Sequence, residues 1–578
     1  MGLALISSGV NDFHGHALVI RKPNIGCGYD VAMSSSTRYW SIFAGPTVTF
    51  AVGFGLTFDG INIVKLLALG LFAGLALANV LTATYQFPRF FSSSTILVAL
   101  LFTVGLLIPL FFSGSPIAQQ IYGTSGRNLG FLHYIFLLIV LLGFSTLNFH
   151  KVWPQILKSL VFVGSFEAIY GALQFFGLDP MTWKNPNKWI FGTFGNPNYL
   201  SAFLALSAIA SFYIAFIEKK KYFKFLLYMS TCFQSGVILL SDSTQGLILW
   251  VFGFFALVLI LLSNRSRFLL WVSVVFGCIS GIFGALAIFQ HGPFEKFLYQ
   301  ESISYRGDYW RAGLRMFRDN WAFGVGLDSY GDYYRMYRDV TAASRRGLDI
   351  VSNSAHNLFI DLAATGGILL LLSYISIIAL VLVSIFKVFI RSRQIPLDFK
   401  LLVALWLAFN FQTLISINVP SLAIWGWSFS GLIIGYKNEE SPSRNLSKQD
   451  TKRLNSRYLF VSSVCCVLCI SAVAPLLNRD VKLANALAEN QIPKISSVLL
   501  TFPRNADQMA EIATAYEKLG RYDDAWALAN EAIVENPNSA LAWKVIYGSL
   551  IASPAEKEKA GRALKKLDPF FVQLFTSE

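Results

Sequence analysis

Residues 290–359 include a group of side chains that could bind a phosphorylated substrate. Arg311, Arg315 and Arg318 recur at helical spacing and form a basic stripe beside an apolar face. Because a guanidinium group can donate paired hydrogen bonds to phosphate oxygens, the stripe could hold a lipid phosphate or diphosphate at a membrane surface. It could equally be the solvated face of an interfacial helix.

A histidine near the end of the same segment could supply acid–base chemistry. His356 precedes a long apolar run, so we expect it at a membrane boundary. A neutral imidazole can accept the proton of a hydroxyl nucleophile, although such a histidine could also be purely structural. The turn at Gly324 and Gly326 is a weak signal for a phosphate-binding loop and supports no assignment by itself.

The composition indicates what kind of protein must position these residues. The chain has 578 residues, of which 54% are hydrophobic and 14% are charged, whereas soluble proteins carry about 25% charged residues. So few charges cannot cover one soluble globule of this length, and so many apolar residues exclude a disordered or fibrous chain. The composition therefore predicts a polytopic membrane protein.

Thirteen apolar segments approach the length of about 20 residues that a membrane-spanning helix needs. They predict an all-α membrane domain over residues 40–476, preceded by a tail at 1–39. The predicted spans lie near 40–57, 61–84, 94–113, 130–148, 155–177, 198–217, 224–241, 244–263, 268–289, 360–388, 400–417, 421–436 and 457–476.

Basic residues in the loops indicate the orientation of these spans. With the tail in the cytoplasm, nineteen Lys and Arg residues fall in short inner loops, and only Arg127, Lys184 and Lys188 fall in short outer loops. This bias follows the positive-inside rule. It places residues 290–359 outside the plasma membrane as a large extracytoplasmic loop, and it accounts for the net charge of +14 without a nucleic-acid partner.

Residues 477–578 have the pattern of a separate helical domain, which the same topology places outside the membrane. Pro503 and Pro537 stand 34 positions apart, and the small residues Ala529 and Ala532 fall where paired helices approach in a tetratricopeptide repeat. The pattern predicts about two repeats and a terminal helix, although a plain helical hairpin bundle would also fit. We expect this α-helical repeat domain to dock a protein partner.

Five segments of the predicted membrane domain carry a family resemblance. They are EAIYGALQFFG at 167–177, GTFGNPNYLSAF at 192–203, SDSTQG at 241–246, YRGDYWRAGLRMFRDNWAFGVGLDSYG at 305–331 and AHNLFIDLAATGG at 355–367. In this order the chain resembles the O-antigen ligase / O-antigen polymerase superfamily, which also includes bacterial protein O-oligosaccharyltransferases. The resemblance covers about residues 160–435.

This resemblance implies a reaction and its reactants. A glycan carried on undecaprenyl diphosphate would be transferred to an acceptor hydroxyl outside the membrane, without a metal or other cofactor. The acceptor would be a lipid A-core sugar, a growing glycan or a protein side chain, and the residues do not choose among these three classes.

The resemblance also implies roles for particular residues of this chain. His356 would be the general base, and Arg306 together with Arg311 would bind the diphosphate. Lys188 would assist from the loop that precedes GTFGNPN. Asn198 and Gln174 would orient the site or bind sugar, and Gln245 and Asn357 are further candidates for substrate binding.

Two positions depart from the family's pattern. Gln245 stands where members often have an arginine, and Lys188 stands at another position that is often arginine. Glutamine carries no charge, and lysine is a point charge where arginine is a planar fork. A diphosphate clamp in this chain would therefore differ in charge and in geometry.

Two other functions stay open on the sequence alone. A secondary transporter or lipid flippase would account for the many spans, but the two halves show no internal repeat of the kind that transporters often contain. A non-catalytic assembly scaffold would fit the glutamine at position 245. Within the fifth span, Glu167 could relay protons or be a neutral carboxyl bonded to a neighbouring helix.

Overall fold

The described part of the chain is built from α-helices and contains no strand, in agreement with the all-α prediction. The computed structural model describes residues 39–86, 90–181, 183, 189–262, 301–347, 350–392, 394–436 and 448–570.

The helices follow one another in three groups. The first are α1 (Tyr39–Phe50), α2 (Asn62–Gln86), α3 (Ser93–Phe112), α4 (Ile117–Tyr122), α5 (Phe131–Ser145), α6 (Phe149–Phe175), α7 (Pro197–Ile217), α8 (Lys221–Leu240) and α9 (Thr244–Leu262). The second are α10 (Glu301–Asp319), α11 (Tyr330–Tyr337), α12 (Val340–Arg346), α13 (Leu358–Arg391), α14 (Leu397–Thr413), α15 (Pro420–Ile434) and α16 (Lys448–Ala488). The C-terminal helices are α17 (Ile492–Leu499), α18 (Ala506–Lys518), α19 (Tyr522–Glu535), α20 (Ala540–Gly548) and α21 (Pro554–Leu567).

Eight helices among the described residues are long and apolar enough to cross a membrane, as expected of a multi-pass membrane protein. They are α2, α3, α6, α7, α8, α9, α13 and α16. The apolar helices α5 and α15 are shorter, with 15 residues each, and α1 and α14 have 12 and 17. The predicted span at 268–289 and the tail before Tyr39 lie outside the described residues. The count of thirteen spans and the orientation therefore remain predictions.

Glycines let several membrane helices pack backbone against backbone. Nearly every residue of α15 is buried, as expected for a helix that is apolar on all sides. A side chain at Gly431 of α15 would collide with the carbonyl oxygen of Leu141 in α5, and one at Gly74 of α2 would collide with the backbone of Cys466 in α16. Small residues commonly mediate helix association in lipid, where apolar burial between helices gives little advantage.

The helix α13 is broken at Gly367, whose backbone has a left-handed φ of 73°. Such a break leaves carbonyl groups of the preceding turn without helical donors. The backbone N–H groups of Val325 and Gly326 donate to the carbonyl oxygens of Ala364 and Thr365, each at 2.9 Å. The glycine-rich turn is therefore packed onto the break in α13. Because these two N–H groups already donate to carbonyl oxygens of α13, they are not available to a phosphate, which argues against a phosphate-binding loop.

Loops at one end of the membrane helices contact one another and form a continuous surface. We call this surface the loop face, and it comprises residues 51–61, 113–130, 189–196, 301–347 and 350–357. The side-chain nitrogen of Asn62 donates to the carbonyl oxygen of Gly126 at 2.5 Å. Ser115 Oγ donates to the carbonyl oxygen of Val325 at 2.6 Å. The predicted long loop is thus joined to the shorter loops of the membrane domain.

The C-terminal helices pack onto the loop face. Helix α16 continues without interruption through the expected boundary at 476/477, and Asp480 within it accepts a hydrogen bond from the N–H of Asp59 at 3.0 Å. Helices α17 to α21 share one hydrophobic core. The helical character predicted for 477–578 is therefore present in its described part, while the assignment to tetratricopeptide repeats remains a prediction.

A buried ion cluster joins the last helix to the long loop. Asp568, just after α21, accepts hydrogen bonds from Arg335 of α11 at 3.1 Å and from Arg338 at 3.0 Å. The side chains of Asp568 and Arg338 are 0% and 1% exposed. Charges buried to this extent are stable only as partners of each other. The cluster therefore fixes the C-terminal helices against the loop face.

Candidate functional site

Arg306 of α10 meets Gln245 in the first turn of α9. The Arg306 Nη2 donates to Gln245 Oε1 at 3.0 Å, and Gln245 is only 2% exposed. Burial lowers the pKa of the Arg306 guanidinium below its ordinary value, but arginine stays charged at neutral pH. Among the described residues no carboxylate forms an ion pair with Arg306. The structure thus joins two residues that the sequence analysis named from separate segments.

The neutral side chain at position 245 suits this contact. An arginine there would bring a second positive charge against Arg306 in a partly buried place, and like charges repel strongly where water is excluded. Glutamine instead offers an oxygen that accepts from Arg306. Its Nε2 is buried without a hydrogen-bond partner in the described structure, so one donor at this site is available to a ligand.

A second arginine, Arg127, comes from the loop between α4 and α5. Its Nη1 is buried and has no hydrogen-bond partner among the described residues. Arg127 and Arg306 both lie within electrostatic reach of Tyr199 in α7. The sequence analysis counted Arg127 only as an outer-loop charge. Its rarity, as one of three basic residues in the short outer loops, was the signal that could have singled it out.

The loop of Arg127 is held by a buried carboxylate from the long loop. Asp328 accepts hydrogen bonds from the N–H groups of Thr124 at 2.7 Å and Leu129 at 3.1 Å. Burial raises the pKa of Asp328 to about 7, and the charge of Arg127 opposes that rise. The segment after the glycine-rich turn therefore positions Arg127 instead of contacting a phosphate itself.

His356 lies just before α13 in an unusual backbone conformation. Its φ is +50°, a left-handed value that costs a non-glycine residue about 1–3 kcal/mol. The His356 N–H donates to Ser354 Oγ at 3.3 Å, and the imidazole ring lies 5.5 Å from the ring of Tyr309. Tyr309 is also within electrostatic reach of Arg306. Tyr309 is therefore a neighbour that the histidine and this arginine share.

The two neighbours of His356 are both anchored. The N–H of Ala355 donates to Asp361 Oδ1 at 2.9 Å. Asn357 caps α13 by accepting from the N–H groups of Phe359 and Ile360, and its Nδ2 donates to the carbonyl oxygen of Leu414 at 2.9 Å. These contacts fix the backbone on both sides of His356, the residue with the left-handed conformation. Asn357, predicted to bind substrate, is thus a helix cap that positions His356.

Arg311 is not brought to this group. It forms ion pairs with Asp308 and with Asp339, the latter at 3.1 Å. Five helical residues separate it from Arg306, a rotation of about 140° around α10. Two carboxylates already compensate its charge, which argues against its predicted part in binding the diphosphate. Elsewhere in the predicted stripe, Arg315 lies 3.6 Å from Asp339.

Asn198 and Gln174 act on the backbone around the site. The Asn198 side-chain oxygen accepts from Ser243 Oγ at 2.8 Å, which ties α7 to the segment that carries Gln245. The Gln174 side-chain oxygen accepts from the N–H groups of Phe191 and Gly192 at 2.9 and 2.8 Å. Both residues therefore position loops, which is one of their two predicted roles, and sugar binding by either stays a prediction. Lys188 lies outside the described residues, and its predicted role is untested.

Two charged side chains inside the membrane helices support the same loops. Lys65 of α2 donates to the carbonyl oxygens of Val48 and Thr49, which end α1. Glu167 of α6 accepts from the N–H of Thr193 at 3.0 Å and from its hydroxyl. Glu167 is therefore bonded to a loop, not to a neighbouring helix. Lys65 was not predicted from the sequence. It donates to carbonyl groups at the C-terminal end of a helix, where a positive charge is favoured.

These features define a multi-pass membrane protein whose loop face gathers a glutamine, a strained histidine and two arginines that form no ion pair among the described residues. A family model described as O-Antigen ligase matches residues 227–375. That range contains the SDSTQG, long-loop and His-Asn segments, and the match supports membership of the O-antigen ligase superfamily and, coarsely, a membrane glycosyltransferase. A search of curated proteins finds no match.

Proposed function

We propose that this protein transfers a glycan from an undecaprenyl-diphosphate carrier to an acceptor hydroxyl on the outer face of the plasma membrane. The family match supports glycan transfer in general terms. The positive-inside count supports a cytoplasmic N-terminus with the loop face and the C-terminal helices outside. Lipid-linked glycans, acceptors and the proposed site would then lie on one side of the membrane.

The observation that carries the proposal is the pair Arg306 and Arg127. Both lie around Tyr199, and neither forms an ion pair among the described residues. Two partly buried guanidinium groups without an ion-pair partner favour binding of an anion, even though the buried carboxyls of Asp328 and Asp361 lie within electrostatic reach of Arg127. A diphosphate supplies that anion. As the bond between the sugar and the diphosphate breaks, negative charge grows on the leaving group, and two arginines stabilise it.

His356 is assigned as the general base. It takes a proton from the acceptor hydroxyl as that oxygen attacks the sugar carbon and the diphosphate departs. Its ring lies against Tyr309, which is itself close to Arg306. The anchored residues on either side would hold the imidazole in place through the reaction. Gln245 orients Arg306 and offers its free Nε2 to the diphosphate or sugar.

Transfer and binding can be measured separately with purified full-length protein in lipid nanodiscs. The donor is undecaprenyl-diphosphate glycan, and lipid A-core, free glycan and protein acceptors are tested in turn. Arg306→Ala and Arg127→Ala should each lower transfer by roughly 10²–10³-fold and weaken donor binding. His356→Ala should lose transfer while keeping donor binding. Arg318→Ala is the matched control, since this arginine is 74% exposed and its one ion pair among the described residues is with Asp319 on the same helix.

Three outcomes would contradict the proposal. Full transfer by His356→Ala would exclude the base assignment. Donor binding unchanged in both Arg306→Ala and Arg127→Ala would exclude the diphosphate clamp. Movement of the lipid-linked glycan across proteoliposome membranes, with no transfer to any of the three acceptor classes, would favour a transporter.

A further inference from the structure

A cavity of about 960 Å³ lies between the loop face and the C-terminal helices. Its first wall comes from membrane-domain loops at 54–61 and 124–126, from Trp183 and from residues 189–195. Its second wall is the long loop around Asp332 and Asn353, and its third is formed by α18 and the start of α20. The C-terminal helices are therefore required to enclose it. We call Arg127, Arg306 and Gln245 the arginine cluster. The cavity is a separate space, but Gly126 in its lining is next to Arg127 in the chain.

Aromatic rings dominate the wall from the membrane domain. They are Phe54, Phe58, Trp183, Trp189 and Phe191. Trp183 is fixed by edge contacts with Phe54 at 5.2 Å and Phe191 at 5.7 Å, and its Nε1 donates to the Tyr170 hydroxyl at 2.7 Å. Trp189 is 54% exposed and Phe58 is 42% exposed. Flat exposed rings of this kind can stack on the C–H faces of sugar rings.

The opposite walls are polar and acidic. Asp332 accepts hydrogen bonds from Gln119 and Asn536, each at 3.0 Å, and Asp507 and Glu511 lie with it in the lining. Burial raises the pKa of Asp332, Asp507 and Glu511 above their ordinary values. Such carboxyls can accept and, when protonated, donate hydrogen bonds, which matches a polyol.

The charge of the lining also limits the ligand. Arg335 is the basic residue of the described lining, and it shares the carboxylate of Asp568 with Arg338. Against it stand the carboxyl groups of Asp332, Asp507, Glu511 and Asp59, and Asp59 Oδ2 is buried without a hydrogen-bond partner among the described residues. Burial raises the pKa of these carboxyls, and each one that ionises repels an anion, so the lining favours a neutral or cationic ligand over a phosphate or an acidic lipid headgroup.

We propose that this cavity binds a stretch of the transferred glycan, composed of uncharged or amino-bearing sugars. The proposal rests on the proposed function, because it assumes that a lipid-linked glycan is the substrate. Asn353 in the lining is three residues from His356, so at most about 11 Å separates their Cα atoms. Gly126 in the lining precedes Arg127. A glycan whose diphosphate lies at Arg127 can therefore continue directly into the cavity.

Binding can be tested without any transfer step. The probe is the glycan released by mild acid from the undecaprenyl-linked pool of the source cells, labelled with a fluorophore, so it carries no diphosphate. Anisotropy with full-length protein in nanodiscs should show binding. Trp189→Ala and Phe58→Ala should each weaken it about tenfold, because each removes a stacking ring worth about 1 kcal/mol or more. Trp189→Phe keeps a ring and should stay within about threefold of the wild type.

Control variants test whether probe binding depends on residues outside the cavity. Trp321→Ala removes a 61% exposed tryptophan that is not part of the lining, so it should bind the probe normally. Arg306→Ala should also bind it normally, since the probe lacks a diphosphate. At a pH high enough to ionise the carboxyls of the lining, the same glycan oxidised to uronic acids at its primary hydroxyls should bind at least about tenfold more weakly, because of the acidic wall.

The outcomes discriminate clearly. Unchanged binding in both Trp189→Ala and Phe58→Ala overturns the cavity assignment, and so does an equal loss in Trp321→Ala. Stronger binding of the oxidised glycan overturns the charge argument. If the glycan binds as expected but no acceptor is ever glycosylated, the proposed function fails while the glycan site stands.

Discussion

Replacing Asp568 by asparagine should release the last helix from the loop face. Asp568 and Arg338 are 0% and 1% exposed, and Arg335 is 12% exposed. Removing this carboxylate takes away a charge with which two buried guanidinium groups both pair. Breaking a buried ion pair in this way costs about 3–5 kcal/mol. The asparagine keeps the size of the side chain, so the loss reports charge and not packing.

Hydrogen exchange of the full-length protein in nanodiscs measures this release directly. If opening of α21 becomes easier by about 3–5 kcal/mol, amide protection at 554–567 should fall roughly a hundredfold to a few thousandfold. Glu558→Gln is the control, because its pair with Arg562 is 68% and 71% exposed and contributes less than about 0.5 kcal/mol. Equal protection in the two variants would refute the clamp. A uniform loss over all helices would refute its local character.

Three further predictions concern the loop face. Gly324→Ala should destabilise the glycine-rich turn more than Gly114→Ala, since both have φ near +70° to +80° but only the first would collide with the backbone of Thr365; thermal unfolding of the two variants decides this. Asn357→Ala should raise exchange at 358–361 by an amount equivalent to about 1 kcal/mol, whereas Asn357→Asp, which keeps the capping oxygen, should lose less; an equal loss would exclude the cap as the cause. Asp328 has a folded pKa of about 7 against an ordinary 3.8, so its stabilising contribution is full at low pH and is lost as the pH rises through about 7. The apparent melting temperature should therefore fall between pH 5 and 8, and Asp328→Asn should flatten part of that fall; a wild-type melting temperature that rises over this range would contradict the assignment.

The helices of the membrane domain could be predicted because lipid leaves a spanning backbone few alternatives to a helix. The residues at which these helices begin and end were harder to predict. The sequence analysis began the fifth span at 155, but α6 begins at Phe149, where Asn148 caps it and the polar Lys151 lies in its first turn. The break in α13 was not foreseen, because its stabilising donors come from Val325 and Gly326, far away in the chain. No local pattern records such a partner.

The site was predicted in part. Arg306, Gln245 and His356 were named because they fall in recognisable segments, and the contact of Arg306 with Gln245 follows from the fold. Arg127 has no such segment around it and reaches the site only through tertiary structure. Arg311 was assigned to the diphosphate from the basic stripe and the family resemblance, and this role remains a prediction. Its ion pair with Asp308, three residues earlier, could have been foreseen, since residues at this spacing face each other on a helix.

The unbroken helix α16 has a consequence for how the C-terminal region can vary. It has 41 residues, about 60 Å at a rise of 1.5 Å per residue, or twice the thickness of the hydrocarbon core. This one helix is thus long enough to cross the membrane and also to connect to the C-terminal helices that form one wall of the proposed glycan cavity. One residue inserted between 477 and 488 would turn that wall by about 100° and lift it by about 1.5 Å. The length of this segment therefore sets the register between the cavity and the arginines Arg127 and Arg306.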